Sequence, residues 1–155
     1  MNTEDLGKPI EILLVEDNPG DARLAMESLK ESKIRNTLHW VQDGLEAMKF
    51  LYRQGKHENA PRADLILLDL NMPKMDGREV LAEIKSDNDL KRIPVVIFTI
   101  SNAEEDILKT YNLHANCYIT KPLDLNRFLK VIQSIENFWL TIVRLPRSKG
   151  YEYYR

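Results

Sequence analysis

Between residues 10 and 135 the chain switches repeatedly between two kinds of hydrophobic spacing. Five short stretches are dense in aliphatic or β-branched residues and predict strands: Ile12 to Val15, Leu38 to Val41, Leu65 to Leu68, Pro94 to Thr99 and Asn116 to Ile119. Between them apolar residues recur at three and four, the spacing of a helix with one buried face. The members are Ala22, Ala25, Met26 and Leu29; Leu45, Met48 and Leu51; Val80, Leu81 and Ile84; Ala103, Ile107 and Leu108; and Leu125, Phe128, Leu129, Ile132 and Ile135. Strict alternation of strand and helix, joined by short connections, predicts a parallel sheet covered on both faces. Leu65 to Leu68 is apolar at every position, as a strand between two helix layers would be. The expected fold class is α/β: a doubly wound five-stranded parallel sheet with five helices. His57 to Arg62, flanked by Gly55 and containing Pro61, reads as an exposed loop.

In an open parallel sheet, ligands bind outside the C-terminal ends of the strands. The residues that follow each predicted strand are therefore the candidates for chemistry. Glu16 and Asp17 follow the first, Asp69 the third, Thr99 closes the fourth, and Thr120 and Lys121 follow the fifth. Taken singly, each could be a helix cap or a turn residue. Together they would place a cation site beside an anion site. Neighbouring carboxylates with no His or Cys among them favour a hard divalent cation, magnesium rather than zinc. With charge neutralised there, a carboxylate can attack phosphorus and form an acyl phosphate. Asp69, central in the crevice, is the natural nucleophile, and Lys121 and Thr99 would hold the phosphoryl oxygens.

Composition narrows the setting. The 155 residues, 43% apolar and 30% charged, suit one well-buried domain. A net charge of -2, from 22 basic and 24 acidic side chains, gives no global attraction to nucleic acid or an anionic membrane. The polar opening MNTEDLGKP has no signal-like apolar core, so a cytoplasmic location is expected. Cys117 is the only cysteine, which excludes an intramolecular disulfide and points to a buried structural thiol. His39, His57 and His114 lack metal-ligand spacing, and Trp40 reads as structural.

The motifs "LLVEDN", "LLDLNMPKMDG", "VVIFTIS" and "CYITKP", in this order, resemble the receiver domain of bacterial two-component response regulators. The resemblance implies a flavodoxin-like sheet of order 2-1-3-4-5, with phosphorylation of Asp69 by a histidine kinase. It implies Mg2+ held by Glu16, Asp17, Asp69 and the backbone carbonyl of Asn71. Thr99 and Tyr118 would form a switch pair, Lys121 would meet the phosphoryl group, and the Lys121–Pro122 bond would be cis. The chain departs from the pattern at Ile100, where a small residue is usual; Ser101 flanks the pocket too.

Residues 1–143 read as one receiver domain with an extended last helix, and 144–155 as a short tail rather than an output module, which argues against a DNA-binding role. In "SIENFWLTIV" the helix is apolar nearly all round. Phe138 and Trp139, about 100° apart on a helix, cannot share one core-facing stripe, so these residues and Ile142 predict a homodimer interface. "VEDNPGDARL" together with "ENFWL" resembles the receivers that serve cyanobacterial and bacterial phytochromes, which implies a phytochrome kinase as partner. Two other classes are weighed. An Asp-nucleophile phosphatase or phosphotransferase would carry a second Asp where Asn71 stands. A flavodoxin-like cofactor binder would want a Ser/Thr/Gly-rich loop where "EDNPGD" stands.

Overall fold

The computed structural model describes residues 9–32, 35–99, 102–110, 113, 115–121 and 125–138. Five strands, β1 (Ile10–Val15), β2 (Asn36–Val41), β3 (Leu65–Asp69), β4 (Val95–Thr99) and β5 (Cys117–Thr120), alternate with five α-helices. These are α1 (Pro19–Glu31), α2 (Gly44–Leu51), α3 (Gly77–Ser86), α4 (Asn102–Thr110) and α5 (Leu125–Phe138). Single 3-10 turns sit at Gly55–His57 and Leu90–Arg92. The sheet is parallel throughout, in the order β2-β1-β3-β4-β5, as the expected flavodoxin-like topology requires. Among the described residues no helix is long and apolar enough to cross a membrane.

Successive strand residues face opposite sides of a sheet, so each strand feeds two cores. Ile12, Leu14, Leu65, Leu67, Val96, Phe98 and Ile119 pack with Ala22, Ala25 and Leu29 of α1 and Phe128 and Ile132 of α5. Leu13, Val15, Ile66, Leu68, Val95 and Ile97 pack with residues of α2, α3 and α4 on the other side. Leu65 to Leu68 are each no more than 1% exposed, which accounts for the unbroken apolar run. The starts of α1, α2 and α3 have a local cause. Asn18 caps α1 by accepting from the Gly20 and Asp21 amides, with Pro19 at the first helical position, and Asp43 and Asp76 cap α2 and α3 through their carboxylates.

Three expectations need correction. In α2 the buried positions are Gly44, Ala47, Met48 and Phe50, while Leu45 is 48% exposed. Small residues give little hydrophobic signal yet occupy the closest approaches. In α4, Ala103 and Ile107 are exposed, and the buried stripe is Glu104 with Leu108. Glu104 can face inward because Arg78 reaches its carboxylate, Nη2 to Oε2 at 2.6 Å. His57 is not a loop residue in solvent: its ring packs edge-on against Phe50, and Nε2 lies 2.9 Å from Glu46 Oε2. That hydrogen bond holds the Glu46 carboxyl below its ordinary value. The lone thiol of Cys117 is half-buried.

Candidate functional site

The sheet register places the site. Val15 of β1 pairs with Leu68 of β3, so the next residues, Glu16 and Asp69, stand level on adjacent strands. Asp69 is the last residue of β3 rather than the first after it. Parity then fixes the face. Glu16 continues the Ile12, Leu14 series, Asp69 the Leu65, Leu67 series, and Lys121 the Cys117, Ile119 series, all on the α1/α5 side. The three candidate side chains therefore meet near the N-terminus of α1.

The ammonium of Lys121 lies 2.9 and 3.1 Å from the two oxygens of Glu16, 3.2 Å from Asp69 Oδ2 and 3.0 Å from Asp21 Oδ2. The other oxygen of Asp69, Oδ1, accepts from the Asn71 amide at 3.2 Å, a turn bond that fixes the carboxylate plane. Asp17 completes the cluster: one oxygen each from Glu16, Asp17 and Asp69 lie within 4.8 Å of one another. Glu16 and Asp69 are almost wholly buried, whereas Asp17 is exposed at the rim. Burial, reinforced by the hydrogen bond to the neighbouring Asp69, pushes the Glu16 carboxyl up to about 8. Burial raises Asp69 as well, against the hydrogen bond from Glu16 and the charge of Lys121. Burial alone would lower the Lys121 ammonium, but hydrogen bonds to Glu16 and Asp21 outweigh it and hold it above the usual lysine range.

This oxygen-only donor set, one member rim-exposed, fits a hard divalent cation. Glu16 Oε1 strengthens the fit. It is buried, and apart from the nearby ammonium it has no hydrogen-bond partner, so it has capacity for a cation.

Glu16, Asp17, Asp69 and Lys121 thus come together as expected, with Asn71 on the loop beside them. Thr99 ends β4 in register with Thr120, at the same rim; its side chain, together with Ile100, Ser101 and Pro122, lies outside the described residues. Tyr118 has the opposite parity to Ile119 and packs against the α2/α3/α4 core, with its hydroxyl accepting from the Ala115 amide at 3.1 Å and Lys109 Nζ 5.8 Å from the ring centre. Phe138 is the last residue of α5, its side chain outside the described residues as are Trp139 and Ile142.

Several neighbours escaped sequence reasoning. Trp40 donates from Nε1 to the Glu16 carbonyl at 2.8 Å, buttressing the backbone of an acidic residue from β2. Arg78 and Glu104 tie α3 to α4, and Asn71 Nδ2 reaches Glu104 Oε1 at 3.5 Å. Asp21 carried a usable signal: behind an Asn cap and a Pro it falls in the first turn of α1, which points at the strand ends.

Comparisons with known proteins bear on the family and the fold. The response regulator receiver domain family matches residues 12–133. Response regulator Rcp1 of Synechocystis sp. is 55% identical over 146 residues, covering 94% of this chain and 99% of its own. Among solved structures, the Mn(2+)-bound form of Rcp1 aligns at 57% identity with a TM-score of 0.74, covering 87% of this chain and 97% of its own. The phosphorylated cyanobacterial phytochrome response regulator RcpA aligns at 53% identity with a TM-score of 0.74, covering 86% and 96%.

Proposed function

The chain belongs to the response regulator receiver domain family, and from that membership we propose that Asp69 is the residue phosphorylated, by a sensor histidine kinase of the phytochrome class. The observation that carries this is the placement of Asp69: buried at the end of the central strand, one oxygen held by the Asn71 amide and the other facing Lys121, with Glu16 and Asp17 alongside. In the transfer, an Asp69 oxygen forms a bond to phosphorus as the P–N bond to the kinase imidazole breaks, its electron pair returning to the ring nitrogen. Lys121 and Thr99 take the oxygens of the arriving group, and Thr99 with Tyr118 relays the change. Mg2+ is the proposed cofactor, held by Glu16, Asp17, Asp69 and the Asn71 carbonyl. When bound, it neutralises the carboxylates and the phosphoryl oxygens.

The phytochrome assignment is supported by the likeness to RcpA, and the proposed role is signalling in the cytoplasm rather than catalysis. The alternative, a phosphatase or phosphotransferase, lacks its second acid, since Asn71 stands at that place. We assign the output to a homodimer built on the end of α5 through Phe138, Trp139 and Ile142, supported by the all-round apolar pattern there.

Intact-mass spectrometry after incubation with phosphoramidate and Mg2+ tests the nucleophile. Wild type gains one phosphoryl mass, and Asp69→Asn and chelator-treated wild type gain none. Phosphoryl gain by Asp69→Asn equal to wild type would reject the assignment.

A further inference from the structure

Lys121 has three N–H donors and three carboxylate partners, of which only Glu16 and Asp69 belong to the acidic cluster. The third, Asp21, sits 3.0 Å from the ammonium on a different element, in the first turn of α1, with its side chain 26% exposed at the mouth of the pocket. Its backbone is fixed by the Asn18 cap, and a negative side chain in a helix's first turn is itself favoured there. Asp21 is therefore a stationary charge, whereas Lys121 ends a long flexible stem.

Two consequences follow for an anion arriving at Asp69. It meets an additional negative charge at the pocket mouth, and it must compete with that charge for the Lys121 ammonium. We propose that Asp21 is a positioning residue, the resting anchor of Lys121, which a phosphoryl group on Asp69 must outcompete before the ammonium can cross to it. The inference rests on Asp69 being the phosphoacceptor. It adds a carboxylate outside the metal cluster that opposes the phosphorylated state instead of supporting it.

The test compares wild type, Asp21→Asn and Asp21→Glu in phosphoramidate and Mg2+, following phosphoryl mass gain and its decay after donor removal. Asp21→Asn keeps the shape and loses the charge; it should raise the phosphorylated fraction at sub-saturating donor and slow its decay, each several-fold. Asp21→Glu restores the charge and should return both toward wild type. In a Lys121→Ala background most of the Asp21→Asn effect should vanish, since the anchored group is gone and only the direct repulsion by the Asp21 charge remains. Beryllofluoride affinity, titrated in parallel, gives the same comparison for chains that load too slowly to follow. An Asp21→Asn chain indistinguishable from wild type, or one whose effect survives intact without Lys121, would overturn the proposal. Asp69→Asn judges the underlying assignment separately: phosphoryl gain there would remove the phosphoacceptor itself, whatever the Asp21 variants do.

Discussion

At the scale of single residues, Glu16 carries the most consequential environment. Its carboxyl is pushed up to about 8 by burial and by Asp69, so between its ordinary value of 4.5 and about 8 the folded chain holds a proton that the unfolded chain has released. Stability from this group is then full below pH 4.5, falls as pH rises toward 8 and changes no further above it. A divalent ion needs the ionised form, so its affinity runs the other way and climbs with pH up to about 8. Calorimetric Mg2+ titrations at pH 6, 7, 8 and 9 should show gains of up to ~10-fold per unit below the plateau, and Glu16→Gln should flatten that part of the profile as it weakens binding. An affinity independent of pH from 6 to 8 would contradict the assigned protonation of Glu16.

At the scale of elements, two glycines set how closely the starts of α2 and α3 approach the end of β3 and the loop that follows it. A methyl group at Gly77 would overlap the Asp69 carbonyl oxygen and the Leu70 Cα, and one at Gly44 would overlap the Met75 carbonyl oxygen. The Gly77 amide also donates to the Leu70 carbonyl at 2.9 Å, joining the start of α3 to the turn that follows the proposed phosphoacceptor. Backbone cannot move aside as a side chain can. Gly77→Ala should cost about 2–3 kcal/mol in urea unfolding and reduce phosphoryl uptake with it, because the relief comes from shifting Asp69. Gly20→Ala, whose methyl would meet only the Asn18 side chain at 3.2 Å, is the control and should leave uptake near wild type. The same positions show what could be read from the sequence and what could not. Strands and the acidic cluster were legible because aliphatic runs and carboxylates at strand ends are local signals. The inward faces of α2 and α4 were not, since Gly44 and Ala47 give little hydrophobic signal, and Glu104 faces the core with partners distant in the chain, among them Arg78, 26 residues away, and Asn71. Asp21 and Trp40 likewise acquire their roles from partners far along the chain, Lys121 and Glu16.

At the scale of the whole molecule, Lys121 follows β5 and the proposed dimer surface begins at Phe138, the last residue of α5, so both lie on the C-terminal part of the chain. Light scattering over a concentration series should show a dimer strengthened by a phosphoryl mimic, and Phe138→Asp or Trp139→Asp should each weaken it by roughly 30-fold, about 2 kcal/mol. A monomer at high concentration in both states would remove the interface. The order in which the pocket's parts are supplied along the chain has a temporal consequence. The central strands β1 and β3 and the edge strand β2 are all complete by residue 69, and with them Glu16, Asp17 and Asp69. The Lys121 ammonium that lies against these acids comes 52 residues after Asp69, beyond β5, so it emerges late during synthesis. A nascent chain can thus display the proposed nucleophile and its acidic neighbours while lacking the lysine proposed to receive the phosphoryl group. On that proposal, a chain released before β5 docks would lack the phosphoryl-binding ammonium and would carry no signal.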